Sequence, residues 1–355
     1  MISHRPETIL LSSLSEDQRA LFTAFAGRSP FAAYQQSLAW AENAPRRAGT
    51  HFLFFLCSQG GETIGAAVVR CGRMGPLARL ATVQRGPIVH DVERLGEVLA
   101  ALKRALAEAG FTSLVAAPRM DGAARGAALG HLHEVGFVQL PAHDQSLHVV
   151  TGKIGLAAAE DAIFASFKQR GRRQIRNAAK QGVEVRPAAT AADLAAYQAV
   201  TDDFRRRKAD YDSKGQPDVA AQARIVAANG GAILLAERGG EVIGGHAFAV
   251  QGGEAIWLSM ATSNADPSIP RSYLLLWEAM RAARELGCRS YDLAGMSDAG
   301  EEGTGRDQFK DAFEPERVEL VRAHAVALKP LRHAIFFTAR QAYRRWRSGV
   351  KAKAK

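Results

Sequence analysis

Residues 51–57 and 66–71 are apolar runs that flank Gly60-Gly61-Glu62-Thr63-Ile64-Gly65. Two short apolar runs around a Gly-Gly pair predict strands joined by a tight hairpin, because glycine takes positive φ without steric cost. The pattern returns further on, where residues 232–236 and 246–251 flank Gly239-Gly240-Glu241-Val242-Ile243-Gly244. A second feature repeats in the same order. The helical pattern over 92–109 stops at Gly110 and leads into an apolar run at 111–115. The helical pattern over 273–286 stops at Gly287 and leads into 288–293. A glycine just past the last periodic residue is a left-handed helix stop. The repetition predicts a duplicated α/β unit of helices, a β-meander, a helix and a strand. Each copy reads as a mainly antiparallel mixed sheet flanked by helices, an α+β arrangement.

The division expected from this pattern is 1–150 for the first domain, 151–330 for the second and 331–355 for a tail. Residues 145–150 read as a closing strand. A long helix is expected over 159–181, ending at Gly182, and a new strand over 183–186. The stretch 189–229 is mainly helical in pattern, with no heptad run long enough for a coiled-coil arm.

At 355 residues, with 47% hydrophobic and 23% charged residues, the chain has the composition of two ordinary globular domains. The net charge of +10 changes the picture only through its location. Lys329, Arg332, Arg340, Arg344, Arg345, Arg347, Lys351, Lys353 and Lys355 follow one another with no acid among them, so the rest of the chain is near neutral. Such a tail suits an anionic surface, lipid or RNA. Residues 331–350 also carry Phe336, Phe337, Tyr343 and Trp346 among the arginines. That pattern fits a basic amphipathic helix lying on the inner face of a membrane, or aromatics packed on the second domain. No run of about 18 apolar residues and no signal peptide is apparent, so a cytoplasmic protein is expected. Cys57, Cys71 and Cys288 are too sparse for a zinc knuckle and read as reduced core thiols. His131-Leu132-His133 has no third ligand nearby, so no metal is expected.

Lys168, Arg172, Arg176 and Lys180 place a cation at every i+4 step, with Arg170 and Arg173 beside them. Like charges at that spacing repel, so their repetition points either to a polyanion such as a tRNA acceptor stem or to a solvated face. Arg205, Arg206, Arg207 and Lys208 form a second cluster.

Four segments then carry a resemblance. They are FAAYQQSLAW at 31–40, Arg85-Gly86-Pro87, RRQIRNAAKQGVEV at 172–185, and the pair Tyr291-Asp292-Leu293-Ala294-Gly295 with Phe309-Lys310-Asp311-Ala312-Phe313. Together they resemble the FemABX aminoacyltransferases across most of the chain. The resemblance implies two tandem GNAT-like domains. It also implies transfer of an amino acid, with Gly, Ala or Ser expected, from aminoacyl-tRNA to the stem peptide of a lipid-linked or nucleotide-linked muropeptide. It implies no cofactor beyond aminoacyl-tRNA as co-substrate. Acyl transfer of this kind needs a cation or hydrogen-bond donors at the oxyanion and correct placement of both reactants.

By the resemblance, Lys310 lies in the catalytic cleft and Phe309 supports its stem or an adenine; the residues alone equally allow a solvated lysine beside a loop and a core phenylalanine. Asp292 orients the incoming amine or takes its proton, unless it simply holds backbone N–H groups at a strand end. Trp40, Arg85 and Tyr291 of these motifs, with Ser263 and with Arg206 and Arg207 of the second basic cluster, are the candidate substrate-binding residues, and Lys168, Arg172, Arg176 and Lys180 are the candidate tRNA contacts on their charge spacing. The sequence departs from the family pattern in three places. Glu314-Pro315 follows Phe313, Ala41-Glu42 follows Trp40, and Ser259 stands where a Tyr is expected. Three rival readings remain, one of them an aminoacyltransferase of the same fold serving peptide-antibiotic or lipid modification, which nothing in the sequence separates from cell-wall work. An acetyl-CoA-dependent GNAT needs a Gly-rich loop before a helix N-terminus, whereas residues 263–271 contain two prolines and no glycine. A non-catalytic RNA- or membrane-binding protein would have no evident use for Phe309-Lys310.

Overall fold

The computed structural model describes residues 5–46, 48–74, 78–207, 216–264, 266–297 and 305–335, with residue 338. The chain forms two compact units. One gathers the described residues up to 25, 46–146 and those from 321 onward, and the other gathers 26–45 and 147–320. The units are therefore not the consecutive stretches 1–150 and 151–330. A late strand belongs to the first sheet, and an early segment packs within the second unit. Strand pairing carries the late residues into the first sheet, and hydrogen bonds from Arg224 to Asn43 and from Asn229 to Ser37 tie the early segment into the second unit; such distant partners leave no local mark in the sequence.

The first unit holds a seven-stranded sheet built from β1 (Glu7–Leu11), β2 (His51–Gln59), β3 (Glu62–Met74), β4 (Ala78–Arg85), β5 (Ser113–Pro118), β6 (Val138–Gln139) and β14 (His324–Ala327). Its order is β1-β2-β3-β4-β5-β14-β6. The β2–β3 hairpin turns at Gly60 and Gly61, with φ of 60° and 82°, as their spacing predicts. Helices α1 (Glu16–Arg28), α3 (Leu95–Glu108) and α4 (Gly122–Glu134) accompany the sheet. α3 buries Leu95, Val98, Leu99, Leu102 and Leu106, one stripe at i, i+3, i+4 spacing. Cys57 and Cys71 are buried in this unit, and burial pushes the Cys57 thiol up to about 11.

The second unit holds β7 (Val150–Gly155), β8 (Glu184–Pro187), β9 (Ala232–Arg238), β10 (Glu241–Gln251), β11 (Glu254–Thr262), β12 (Ser290–Met296) and β13 (Glu316–Glu319). The order is β13-β7-β12-β11-β10-β9-β8. Thus the stretch expected to close the first domain instead leads into β7 of the second sheet. The helices are α2 (Leu38–Asn43), α5 (Glu160–Ser166), α6 (Gln169–Lys180), α7 (Ala191–Arg207), α8 (Val219–Ala228), α9 (Arg271–Glu285) and the short α10 (Gly305–Lys310). Two successive glycines on β10 show which helices cover which face. A Cβ on Gly244 would meet Leu275 of α9 at 3.1 Å, and one on Gly245 would meet the Tyr197 ring of α7 at 2.4 Å. Successive residues of a strand point to opposite faces, so α9 and α7 lie on opposite sides of the sheet.

The single helix expected over 159–181 is broken in two. Phe167 and Lys168 are extended between α5 and α6. The break sends Phe167, 1% exposed, into an aromatic cluster with Trp277 and Phe313. The freed carbonyls at the end of α5 are covered by Arg172, whose Nη1 donates to Ala165 O at 2.6 Å and Phe167 O at 2.5 Å.

Candidate active site

β11 and β12 run parallel but pair only through Glu254↔Ser290, Ala255↔Tyr291 and Ile256↔Asp292. Beyond that point β11 stays with β10 as far as Thr262, and β12 stays with β7. The two parallel strands therefore part at their C-terminal halves. In the first unit the corresponding parallel pair remains closed from Leu80↔Ser113 to Arg85↔Pro118. Open α/β sheets bind ligands at the carboxyl ends of parallel strands, so the opening in the second unit is the natural place for chemistry.

Lys310 stands at this opening, carried on the last residue of α10 and only 3% exposed. Its Nζ donates to Gly295 O at 2.6 Å and lies 5.2 Å from the centroid of the Trp257 ring. Burial pushes its pKa down to about 8, helped by Arg306 and opposed by Asp292 and Asp307. At neutral pH it is a cation with little water around it, a setting in which charge acts strongly on a neighbouring dipole. Phe309 forms the adjoining apolar wall, with its ring 4.9 Å from Tyr273, 5.6 Å from Phe313 and 6.5 Å from Trp257.

The Gly295 carbonyl reaches Lys310 because β12 bulges between Asp292 and Gly295. Ala294 adopts φ of 57° there. Asp292, 2% exposed, holds the bulge by accepting from Ala294 N at 2.7 Å and from Thr151 Oγ1. Asp292 thus holds a backbone N–H at the end of the strand, the alternative reading to contact with the amine, and so fixes the bulge whose Gly295 carbonyl accepts from Lys310. Tyr291 is likewise closed off. It is fully buried, and its hydroxyl lies 2.5 Å from His246 Nε2.

The tautomer of His246 follows from its partners. Nδ1 lies 2.8 Å from Ser259 O, which only accepts, so Nδ1 carries the proton. Burial holds the ring pKa down to about 3, so Nε2 is bare and accepts from Tyr291. An unfolded histidine takes up a proton near 6.5, whereas this one resists until about 3. Between those values the unfolded chain binds more protons, so stability falls as pH drops. The melting temperature of the wild type is expected to fall more steeply from pH 7 to pH 5 than that of His246→Gln. Parallel curves would show that His246 has no part in the acid response.

At the far end of β11, Arg271 opens α9 and is 3% exposed. Its Nη1 donates to Ser263 O at 3.2 Å and Ser263 Oγ at 3.0 Å, its Nη2 to Asp266 O, and its Nε to Ile269 O at 3.4 Å. Sequence reasoning singled out Ser263 but missed Arg271. The available signal was a cation in the first turn of a helix, directly after Pro270 and just ahead of the apolar run 273–277. Arg207 stitches the end of α7 to the same corner, donating to Thr262 O at 2.6 Å and Asp203 at 2.9 Å. Arg206 stays 72% exposed, with Asp203 3.6 Å away. Trp40, 9% exposed, packs edge-on to Tyr34 in a helix capped by Ser37, and so acts in the packing of that segment. Arg85 ends β4 of the first unit, buried, with φ of 58° before a cis Gly86–Pro87 bond.

The basic stripe on α6 is partly consumed by the fold. Arg172 caps α5, Arg176 lies over the Phe164 ring at 5.1 Å, and Lys168 is 3.5 Å from Glu314. Arg170, Arg173 and Lys180 remain exposed. Phe336, Phe337, Tyr343 and Trp346 of the expected tail helix lie outside the described residues. Among the described residues no helix is long and apolar enough to cross a membrane.

Two mixed sheets with flanking helices, one opened between parallel strands, define a tandem GNAT-like acyltransferase fold. Residues 165–311 match the family model of the acetyltransferase (GNAT) domain, and this stretch contains the parted strands and Lys310. Three solved structures share the architecture over nearly the whole chain. FemX is 17% identical, with a TM-score of 0.76, covering 93% of this chain and 99% of that one. L-PGS from Bacillus licheniformis is 13% identical, with a TM-score of 0.59, covering 93% and 97%. A tandem GNAT protein from the clavulanic acid biosynthesis pathway is 13% identical, with a TM-score of 0.53, covering 92% and 99%. Comparison with curated proteins gave no match.

Proposed function

We propose that the protein is an aminoacyltransferase that moves an amino acid from aminoacyl-tRNA to an amine on the stem peptide of a peptidoglycan precursor. The observation that carries this reading is the buried Lys310 ammonium at the opening between β11 and β12. The ester of a charged tRNA is already activated, so the enzyme has only to place the amine against the carbonyl and stabilise the oxyanion. Lys310 supplies a desolvated cation for that oxyanion, and the Gly295 carbonyl and Trp257 ring keep it aimed. The FemABX motifs around it and the fold shared with FemX support the choice of donor and acceptor. The exposed cations of α6, Arg170, Arg173 and Lys180, suit the phosphates of the acceptor stem.

The GNAT domain match favours a second reading, in which acetyl-CoA is the donor. Against it, the loop before α9 contains two prolines and directs the Ser263, Asp266 and Ile269 carbonyls onto Arg271, whereas a diphosphate cradle needs backbone N–H groups facing the anion. The deciding assay mixes the purified protein with pooled radiolabelled aminoacyl-tRNA and a lipid-linked or nucleotide-linked muropeptide, beside a reaction with acetyl-CoA. Label is expected to move from tRNA to the muropeptide. Acetyl-CoA consumption with no transfer from any charged tRNA would replace this reading with the acetyltransferase.

A further inference from the structure

Gly295 and Trp257 hold the ammonium of Lys310, but the helix that carries Lys310 must be held as well. α10 is six residues long, too short to keep its place by its own hydrogen bonds. It is tied back to β12 by Asp307, one turn before Lys310 and 2% exposed. Asp307 Oδ1 accepts from Ser297 N at 2.9 Å, and Oδ2 accepts from Ser297 Oγ at 2.7 Å. Ser297 follows directly on Met296, the last residue of β12. One carboxylate thus grips the end of the strand with both oxygens, across ten positions of the chain.

A second tie closes on the other side of Lys310. Arg317 of β13 donates through Nη2 to both oxygens of Asp311, at 2.9 and 3.1 Å, and through Nη1 to Ser297 O at 3.3 Å. Lys310 therefore lies between two acids, each joined to Ser297, one directly and one through Arg317. The two ties are unequal. The Arg317–Asp311 pair is partly exposed, and water competes for it. Asp307 is out of water, where a hydrogen bond to a charged group is strong and its loss is costly.

We propose that Asp307 is a positioning residue that acts through Lys310, locking α10 to the end of β12 so that the ammonium stays at the opening between β11 and β12. Its charge works in the same direction. Burial drives the Lys310 ammonium toward neutrality, and the negative charges of Asp292 and Asp307 oppose that. The other groups that bear on Lys310 among the described residues are Arg306 of α10, which acts with burial, and His246 of β10, which is neutral above about pH 3. The effect of Asp307 on turnover rests on the aminoacyl-transfer reading, whereas its effect on the Lys310 ammonium does not.

The test joins kinetics to a direct titration of Lys310 in the full chain. Asp307→Ala should lower kcat for aminoacyl transfer by roughly tenfold to a hundredfold with KM for both substrates little changed, the loss expected when a reacting group is misplaced by about 1 Å. Added to Lys310→Ala, the same change should cost nothing further, because no ammonium is left to position. Asp307→Asn keeps a partner for both Ser297 groups and removes the charge. It should recover most of the lost kcat at pH 6 and move the high-pH limb of the rate to lower pH. Lys310 itself is followed by NMR of protein labelled at lysine Cε, its signal assigned by its disappearance in Lys310→Ala. The midpoint is expected near 8 in wild type and lower in Asp307→Asn. That titration needs no substrate, so its outcome is independent of the transfer assay. Losses from Asp307→Ala and Lys310→Ala that multiply in the double variant, or a midpoint unmoved in Asp307→Asn, overturn the proposal. If Asp307→Ala does not fold, Ser297→Ala, which deletes one of the two hydrogen bonds, takes its place in the same cycle.

Discussion

Lys310→Ala is expected to lower kcat/KM for aminoacyl transfer by about 10²–10³, the loss usual for removing one preorganised group that stabilises an oxyanion. The effect should fall mainly on kcat, because the ammonium acts on charge that develops only in the transition state. The pH profile gives an independent check. Burial holds the Lys310 pKa down to about 8, so activity that needs the cation declines as pH rises through about 8. Stability moves the other way. Between about 8 and the ordinary lysine value of 10.5 the unfolded chain binds more protons than the folded one, so the contribution of Lys310 to stability grows with pH across that window. Activity lost at pH 9 with no fall in melting temperature is thus the signature expected of this residue. Lys310→Ala retaining near wild-type kcat/KM, or a wild-type rate that is flat through pH 8, would remove Lys310 from the chemistry.

Gly171→Ala should destabilise the protein by about 1–3 kcal/mol, the range typical of overpacking. In an isolated helix the same change would help, because alanine is the better helix former by about 1 kcal/mol. Here α6 passes so close to the turn after Lys310 that a Cβ on Gly171 would lie 2.5 Å from the Ala312 carbonyl oxygen. That oxygen is backbone, and it already accepts from Lys168 N at 3.1 Å. Either α6 or the Asp311–Phe313 turn must move, and the turn follows directly on Lys310. A fall in kcat/KM should therefore accompany the fall in stability. Gly130→Ala in α4 is the control, since nothing lies within 4 Å of its Cβ position, and it should be neutral or stabilising. Denaturant unfolding of both variants checks the opposite signs. Equal effects would mean that α6 can shift freely against the turn.

The repeated α/β unit was legible because its marks are local. Gly60-Gly61 and Gly239-Gly240 turn their hairpins with positive φ, and Gly110 and Gly287 stop their helices with φ of 82° and 81°. These glycines answer to backbone sterics within a few residues, which sequence spacing records directly. The candidate site was legible in a weaker sense. Lys310, Phe309 and Asp292 were found through motif resemblance, yet their roles came from their surroundings. Nothing near Asp292 in the sequence announces that it must hold a bulge, and nothing near Tyr291 announces that its hydroxyl faces a buried histidine.

The sequence by itself determined the elements set by short-range forces: the paired meanders, the glycine stops, the apolar stripe of α3 and the concentration of charge in the tail. Tertiary structure alone decided the rest. It broke the helix at Phe167, whose ring packs edge-on against Trp277 and Phe313. It placed β14 between β5 and β6, so that His324 pairs with Ala116 and with Gln139 far back in the chain. It parted β11 from β12 and buried Lys310 beside Gly295 and Trp257, where desolvation moves the ammonium toward neutrality. Burial and strand partnership are properties of residues distant in the chain brought together, and local spacing carries no record of them.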